Sequence, residues 1–280
     1  MIVWIASFPK SGNTWLRMFL KSYFLKDNET FSLNNSKNDS FIVNYFPNEK
    51  LLDELKIDYS KFENIVKNWG TLQSYINLNN KTNYLKTHSA MCTIGPYQYT
   101  NNEYTKGAIY IVRDPRDVLI SYSHHLALNY EKTFELMSGT YHYEHADSKI
   151  KNDMHYKRGL IGNWSDHYNS WKNYKFSKIL IIKYEDMLNN KYDTFLKILE
   201  YLKEIAGVKI EKNKIENALK QTQFNKLKKL EEKYGFTEKL EGESFFRVGK
   251  MNEWKNHLDK EITKKIEKKF EREMKELGYL

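Results

Sequence analysis

A single cysteine, Cys92, stands in 280 residues, so no internal disulfide framework can hold this chain together, and a reducing compartment, the cytoplasm, is the setting it fits. Only four prolines and twelve glycines are present. They form no Pro- or Gly-rich linker and no internal repeat is visible, so one domain over residues 1–280 is expected. No stretch approaches the roughly 18 uninterrupted apolar residues of a membrane span. The apolar opening Ile2 to Phe8 has no basic leader and runs into Pro9-Lys10, so it reads as a core strand and not as an address. No His, Cys and carboxylate set has convincing metal-ligand spacing; His142 and His145, with Glu144 between them, read as polar loop. A formal net charge of +9 is compatible with a nucleotide, a phosphorylated cofactor, nucleic acid or an anionic surface, and does not choose among them.

What is present is enough apolar material for a full core, 40% hydrophobic and 15% aromatic residues. Strand-like runs recur at Ile2 to Phe8, Asn83 to Lys86, Ala108 to Val112 and Ile179 to Lys183, with helix-length segments between them. That spacing implies βαβ units and a mainly parallel sheet covered by helices on both faces, a three-layer α/β/α fold. Helical periodicity predicts a helix over Tyr192 to Leu202, with Asn190 or Asp193 near its start, and another over about 260–277 ending before Gly278. The lysines of that last segment alternate with glutamates and read as a solvated face. Three polar stretches, about 27–60, 129–159 and 234–253, are the candidate loops for an acceptor pocket. The tyrosines Tyr97, Tyr99, Tyr130, Tyr141 and Tyr143 suit either a flat or a sugar-like ligand.

The sharpest local signal is the strand Ile2 to Phe8, the turn Pro9-Lys10-Ser11-Gly12-Asn13-Thr14, and the helix-forming Trp15 to Leu20. Backbone N–H groups in a first helical turn lack helical partners, and the dipole adds positive potential there, so an anion is stabilised. Lys10 and the hydroxyls of Ser11 and Thr14 add donors. The bland alternative is an ordinary helix start capped by Asn13 or Thr14. The Gly-x-x-x-x-Gly-Lys-Ser/Thr spacing of ATP and GTP hydrolases is absent, because the lysine precedes the Ser-Gly pair, and this counts against the rival reading of a P-loop-like kinase. A second rival, a basic nucleic-acid-binding protein, lacks any zinc-finger or RNA-binding signature.

Ser7 to Trp15 resembles, almost residue for residue, the 5′-phosphosulfate loop of the sulfotransferases that use 3′-phosphoadenosine 5′-phosphosulfate (PAPS). Ile111 to Tyr122 is similar to the family's strand-turn-helix for the 3′-phosphate, with Arg113 and Ser121 on its binding positions, and Phe245 to Asn256 is similar to its C-terminal Arg-Lys-Gly segment. In the last, Arg247 and Gly249 match while Val248 replaces the usual lysine; Lys250 is the nearest substitute. Tyr184 in Tyr184-Glu185-Asp186 also matches, and the resemblance implies Trp15 against adenine with Thr222 and Phe224 near the base. It further implies His88 of Lys86-Thr87-His88 as general base, Lys10 as the cation at the leaving phosphate, Lys86 as a second electrostatic contributor, and Ser121 as a partner holding Lys10 back. The implied cosubstrate is PAPS with product 3′,5′-adenosine bisphosphate (PAP), the implied partner a small-molecule acceptor with a hydroxyl or amine, and no metal is implied. Trp164 and Trp171 read as core aromatics.

Overall fold

Period-two alternation sorts the first strand, β1 (Ile2–Ser7), between two cores. Ile2, Trp4 and Ala6 join one buried cluster and Val3 and Ile5 the other, as expected of a strand buried on both faces. The computed structural model describes residues 1–26, 29–36, 39–140, 143–145, 157–175, 177–239 and 244–280. Around β1 lie β2 (Asn44–Tyr45), β3 (Asn83–Thr87), β4 (Thr105–Val112) and β5 (Lys178–Lys183), in the order 2-3-1-4-5. Every pairing is parallel. The expected strands are therefore found, with β3, β4 and β5 slightly longer than read and a two-residue edge strand, β2, added inside a stretch taken for loop.

Four helices position the site: α1 (Asn13–Tyr23), α2 (Pro115–Leu126), α3 (Trp164–Lys172) and α4 (Lys191–Ala206). On one face of the sheet, Leu16, Phe19 and Leu20 of α1 meet Phe195, Ile198 and Leu199 of α4, with Phe19 and Phe195 stacked at 4.1 Å. On the other, α2 and α3 cover Tyr110 and Trp4 together with Trp164 and Trp171, both buried core residues as read. The helix at Tyr192 to Leu202 is α4; its N-cap is Asn190, whose side chain makes no capping bond, and Gly207 ends it in the left-handed conformation.

Three expectations are corrected. The segment at 260–277 is two helices, Lys260–Lys269 and Glu271–Leu277, broken at Phe270, which leaves helical geometry (φ −114°, ψ 20°) with its ring buried against Trp164. Two of the polar stretches hold regular structure: Glu49–Glu54 in the first, Tyr130–Ser138 and the antiparallel strand pair Tyr143–His145 with Lys157–Leu160 in the second. Asn48 and Asn129 cap these two helices with their side chains, a signal readable in the sequence. Tyr99 is fully buried among Trp4, Phe46 and Trp69 and takes no part in a ligand loop. Tyr141 and His142 lie outside the described residues. No helix among the described residues is long and apolar enough to cross a membrane.

Candidate active site

Four of the nominated segments follow carboxyl ends of neighbouring strands, 8–12 after β1, His88 after β3, Arg113 after β4 and Tyr184 after β5, while those of Thr222 and Phe224 and of Arg247 and Gly249 follow helices. They open into one cavity of about 1530 Å³. Lys10, Gly12, Asn13, Thr14, Trp15, Lys86, His88, Arg113, Ser121, Tyr184, Thr222, Phe224, Arg247 and Gly249 line it. Ser11 alone of the nominated residues does not; it is fully buried, and its Oγ has no hydrogen-bond partner.

The loop after β1 is held by strain and by side chains turned inward. Lys10 adopts φ 65° and Gly12 φ 101°, both in the left-handed region. A Cβ on Gly12 would come 2.5 Å from the Tyr184 ring, so only glycine lets the loop close on that ring. Neither Asn13 nor Thr14 caps α1; Gly12 occupies the cap position. Asn13 instead donates to the Ile5 carbonyl and the Ser7 hydroxyl and accepts from Arg17 Nε at 2.9 Å, which ties the helix start to β1. No side chain caps α1, and Gly12, Asn13 and Thr14 at its start line the cavity.

Arg113 crosses to the neighbouring loops. Its Nη1 donates to the Lys10 carbonyl and its Nη2 to the Lys250 carbonyl, its guanidinium lies 4.4 Å from the Tyr184 ring centroid, and Asp117 is 3.9 Å away. Arg113 thus has an ion-pair partner in Asp117, whereas Asp114 pairs with Arg116. Asp117 also accepts the N–H groups of Asn252 and Trp254, clamping the 247–254 segment onto α2. In spite of these contacts Arg113 Nε remains buried and unpartnered. Gly249 (φ 66°) sits so close to Phe224 that a Cβ would be 2.1 Å from its ring. Val248 lines the cavity, and Lys250 turns its carbonyl to Arg113.

At the other end of the cavity His88 is 9% exposed. Its Nδ1 lies 2.7 Å from the Ser7 carbonyl oxygen, which can only accept, so Nδ1 carries the proton and Nε2 is the free basic nitrogen. Burial, and then the charge of Lys86, push the imidazole well below its ordinary value of 6.5, so it is neutral at neutral pH. The backbone behind it is braced: His167 Nε2 donates to the His88 carbonyl at 3.0 Å, Tyr110 Oη pairs with His167 Nδ1 at 2.8 Å, and Trp171 Nε1 donates to the Ser89 carbonyl at 3.0 Å. The backbone of Phe8 reaches the same Tyr110 hydroxyl, so one buried network joins the phosphate loop to the histidine.

Two cavity residues were not foreseen from the sequence. Arg17 donates from both terminal nitrogens to Glu238, at 2.8 and 2.7 Å, and Lys86 reaches the same carboxylate at 3.5 Å. Burial pushes the Glu238 carboxyl up, yet Arg17 and Lys86 outweigh it and hold it well below the usual carboxylate range. Arg17 could have been suspected one turn after Asn13; Glu238 had no local signal, since its partner is 221 residues away. The ammonium of Lys10 lies 4.5 Å over the Phe245 ring. Ser121 and His125, one turn apart on α2, both line the cavity, and together with Lys10 they also border a small side pocket. Of the four described tyrosines considered for the acceptor, Tyr143 alone lines the cavity. The described residues hold no group of three or more His, Cys, Asp or Glu able to hold a metal ion.

Comparison with known proteins matches residues 2–278 to the family model described as the sulfotransferase domain. Among curated relatives, rat sulfotransferase 2A2 is 30% identical over 172 residues, covering 59% of this chain and 55% of its own length. Flavonol 3-sulfotransferase of Flaveria bidentis is 26% identical over 95% of this chain and 79% of its own, and luciferin sulfotransferase of Photinus pyralis 23% over 94% and 69%. Mouse sulfotransferase SULT7A1, solved in complex with PAP, superposes with a TM-score of 0.59 at 18% identity, over 98% of this chain and 84% of its own. Retinol dehydratase in complex with retinol and PAP gives 0.58 at 20%, over 98% and 81%. The fold is therefore the P-loop-like α/β fold of these sulfotransferases.

Proposed function

The chain belongs to the sulfotransferase family, enzymes of sulfuryl transfer, and we propose that residues 1–280 act as one domain that takes the group from PAPS, with Lys10, Lys86 and His88 carrying the chemistry. The observation that carries this is Arg113: partly buried, permanently charged, lining the cavity, and left with a buried, unpartnered Nε. A buried guanidinium N–H without an acceptor is costly, and a phosphate oxygen would satisfy it. Ser11 is assigned to the 5′-phosphate by its place in the loop motif, since its buried, unpartnered Oγ does not line the cavity. Arg247 and Ser121 add to the 3′ end, Gly12, Asn13 and Thr14 contribute first-turn N–H groups, and Trp15, Tyr184, Thr222 and Phe224 line the base and ribose side with Gly249.

PAPS supplies an activated sulfuryl group on its 5′-phosphate. The neutral His88 takes the acceptor's proton on Nε2 while Nδ1 keeps its bond to Ser7, so the imidazolium formed is stabilised where it stands. Lys10 and Lys86 offset the negative charge that grows on the departing phosphate oxygen, an interaction stronger in the transition state than before it. Ser121 holds Lys10 until the acceptor is seated. The acceptor is a small molecule bearing a hydroxyl or amine, a reading supported by relatives named for flavonol and luciferin, and the cytoplasm is the proposed location. Isothermal calorimetry tests the donor assignment: PAP should bind at least about tenfold more tightly than AMP or ATP, the scale of one charge-assisted hydrogen bond, and equal affinity for AMP would remove it.

A further inference from the structure

The wall beside His88 is made of fixed hydrogen-bonding groups, and this bears on what the acceptor is. Glu238 enters the cavity on the segment after the Phe224–Tyr234 helix and is oriented from one side by the two-pronged bond to Arg17 and the contact with Lys86. A carboxylate offers about four lone-pair sites, so this anchoring leaves accepting capacity. His125 lies one turn beyond Ser121 on α2 and stacks on Tyr122 with ring centroids 6.3 Å apart. Among the described residues its ring nitrogens meet no hydrogen-bond partner. Burial, then Lys10 and Lys86, push it down to about 4 against an opposing pull from Glu238, so near neutral pH it offers one donor and one acceptor.

From these two side chains we infer that the acceptor is a polyhydroxylated, sugar-like molecule, in which hydroxyls next to the one that reacts bind Glu238 and His125. The inference rests on the sulfotransferase reading given above. A hydroxyl donates to a carboxylate and both donates to and accepts from a neutral imidazole, so neighbouring hydroxyls replace the water these groups lose when the cavity fills. A steroid or flat phenol with a single hydroxyl would instead desolvate an ionised carboxylate and an imidazole without compensation, which costs more than its apolar contact returns there. The same cavity presents Leu126, Leu128, Leu136 and Ile161, an apolar surface suited to an alkyl aglycone.

The test uses the full chain with labelled PAPS and two sets of acceptors: octyl glucoside, octyl galactoside and octyl mannoside against 2-naphthol and a 3-hydroxysteroid. At least one glycoside is expected to exceed both single-hydroxyl acceptors about tenfold in kcat/KM, roughly one hydrogen bond to a charged partner. Glu238→Gln and, separately, His125→Phe should each lower the ratio of kcat/KM for that glycoside to kcat/KM for 2-naphthol by about tenfold. His125→Phe lies outside the Arg17 ion pair and keeps the test alive if Glu238→Gln folds poorly. Calorimetry with PAP separates the two levels: no PAP binding by the wild-type protein would defeat the sulfotransferase reading itself. Normal PAP binding with 2-naphthol or the steroid used as well as every glycoside, or with no glycoside used, overturns the present inference alone.

Discussion

At the scale of single residues the site turns on protonation. His88 is neutral because burial and Lys86 disfavour its charged form, and its tautomer is set by the Ser7 carbonyl. Its pKa in the folded state lies below the unfolded value, so as pH falls below 6.5 the unfolded chain gains a proton that the folded chain does not, and stability declines with falling pH through that window. The base stays unprotonated through the same window. The acid limb of kcat/KM is therefore expected below pH 6.5, and a limb centred at or above that value would contradict the assignment. His88→Ala should abolish turnover and leave PAP affinity unchanged by calorimetry, since the imidazole meets the acceptor's proton and neither phosphate. Near-wild-type turnover would shift the role to another group, and His125 would be the next candidate because it faces the same cavity, whereas His124 borders the side pocket.

At the scale of elements, loops after four parallel strands make one site only because close contacts lock them together. Gly249 approaches Phe224 too closely for any Cβ and sits at φ 66°, while Asp117 fastens the segment that follows it to α2. Gly249→Ala forces backbone strain worth about 1–3 kcal/mol and pushes the segment carrying Arg247 off its seat. PAP affinity should fall about tenfold or more. Gly207→Ala is the control: it has a similar φ of 70° but open space around it at the end of α4, so it should cost stability in a thermal melt without changing PAP affinity. Equal PAP affinity in both variants would show that the contact with Phe224 does not hold the 3′-phosphate segment. Val248→Lys in the same segment restores the charge the family usually carries, and calorimetry should show tighter PAP binding than wild type.

At the scale of the whole molecule the cavity gathers side chains from Pro9 to Glu253, so its ligand ties together most of the chain. A ligand that binds only the folded state at about 100 times its Kd adds roughly 2.7 kcal/mol. For a protein of this length that corresponds to a rise in Tm of about 5 °C or more. PAP should produce this rise, AMP at the same concentration a smaller one, and Arg113→Ala should narrow the difference, because the 3′-phosphate is all that separates the two nucleotides and Arg247 and Ser121 remain to meet it. A shift of equal size with AMP would mean that Arg113 does not read that phosphate.

The linear sequence determined the elements whose signal is local: four of the five sheet strands, marked by apolar runs between turn residues, the loop from Lys10 to Trp15, and the residues whose type and neighbours match a family motif. It also marked both lone tryptophans of α3 as core. The two-residue edge strand β2 and the break at Phe270 carried no such signal, because one is held by pairing to β3 and the other by burial of a ring against Trp164. Asn13 likewise could be read as a cap until the tertiary structure turned its amide onto β1. The bonds from Glu238 to Arg17 and Lys86, and the Tyr110–His167–His88 brace, join residues 57 to 221 positions apart. No local pattern encodes such contacts, since periodicity and spacing report only on neighbours along the chain, while ion pairs and buried hydrogen bonds depend on which strand ends the sheet order brings side by side.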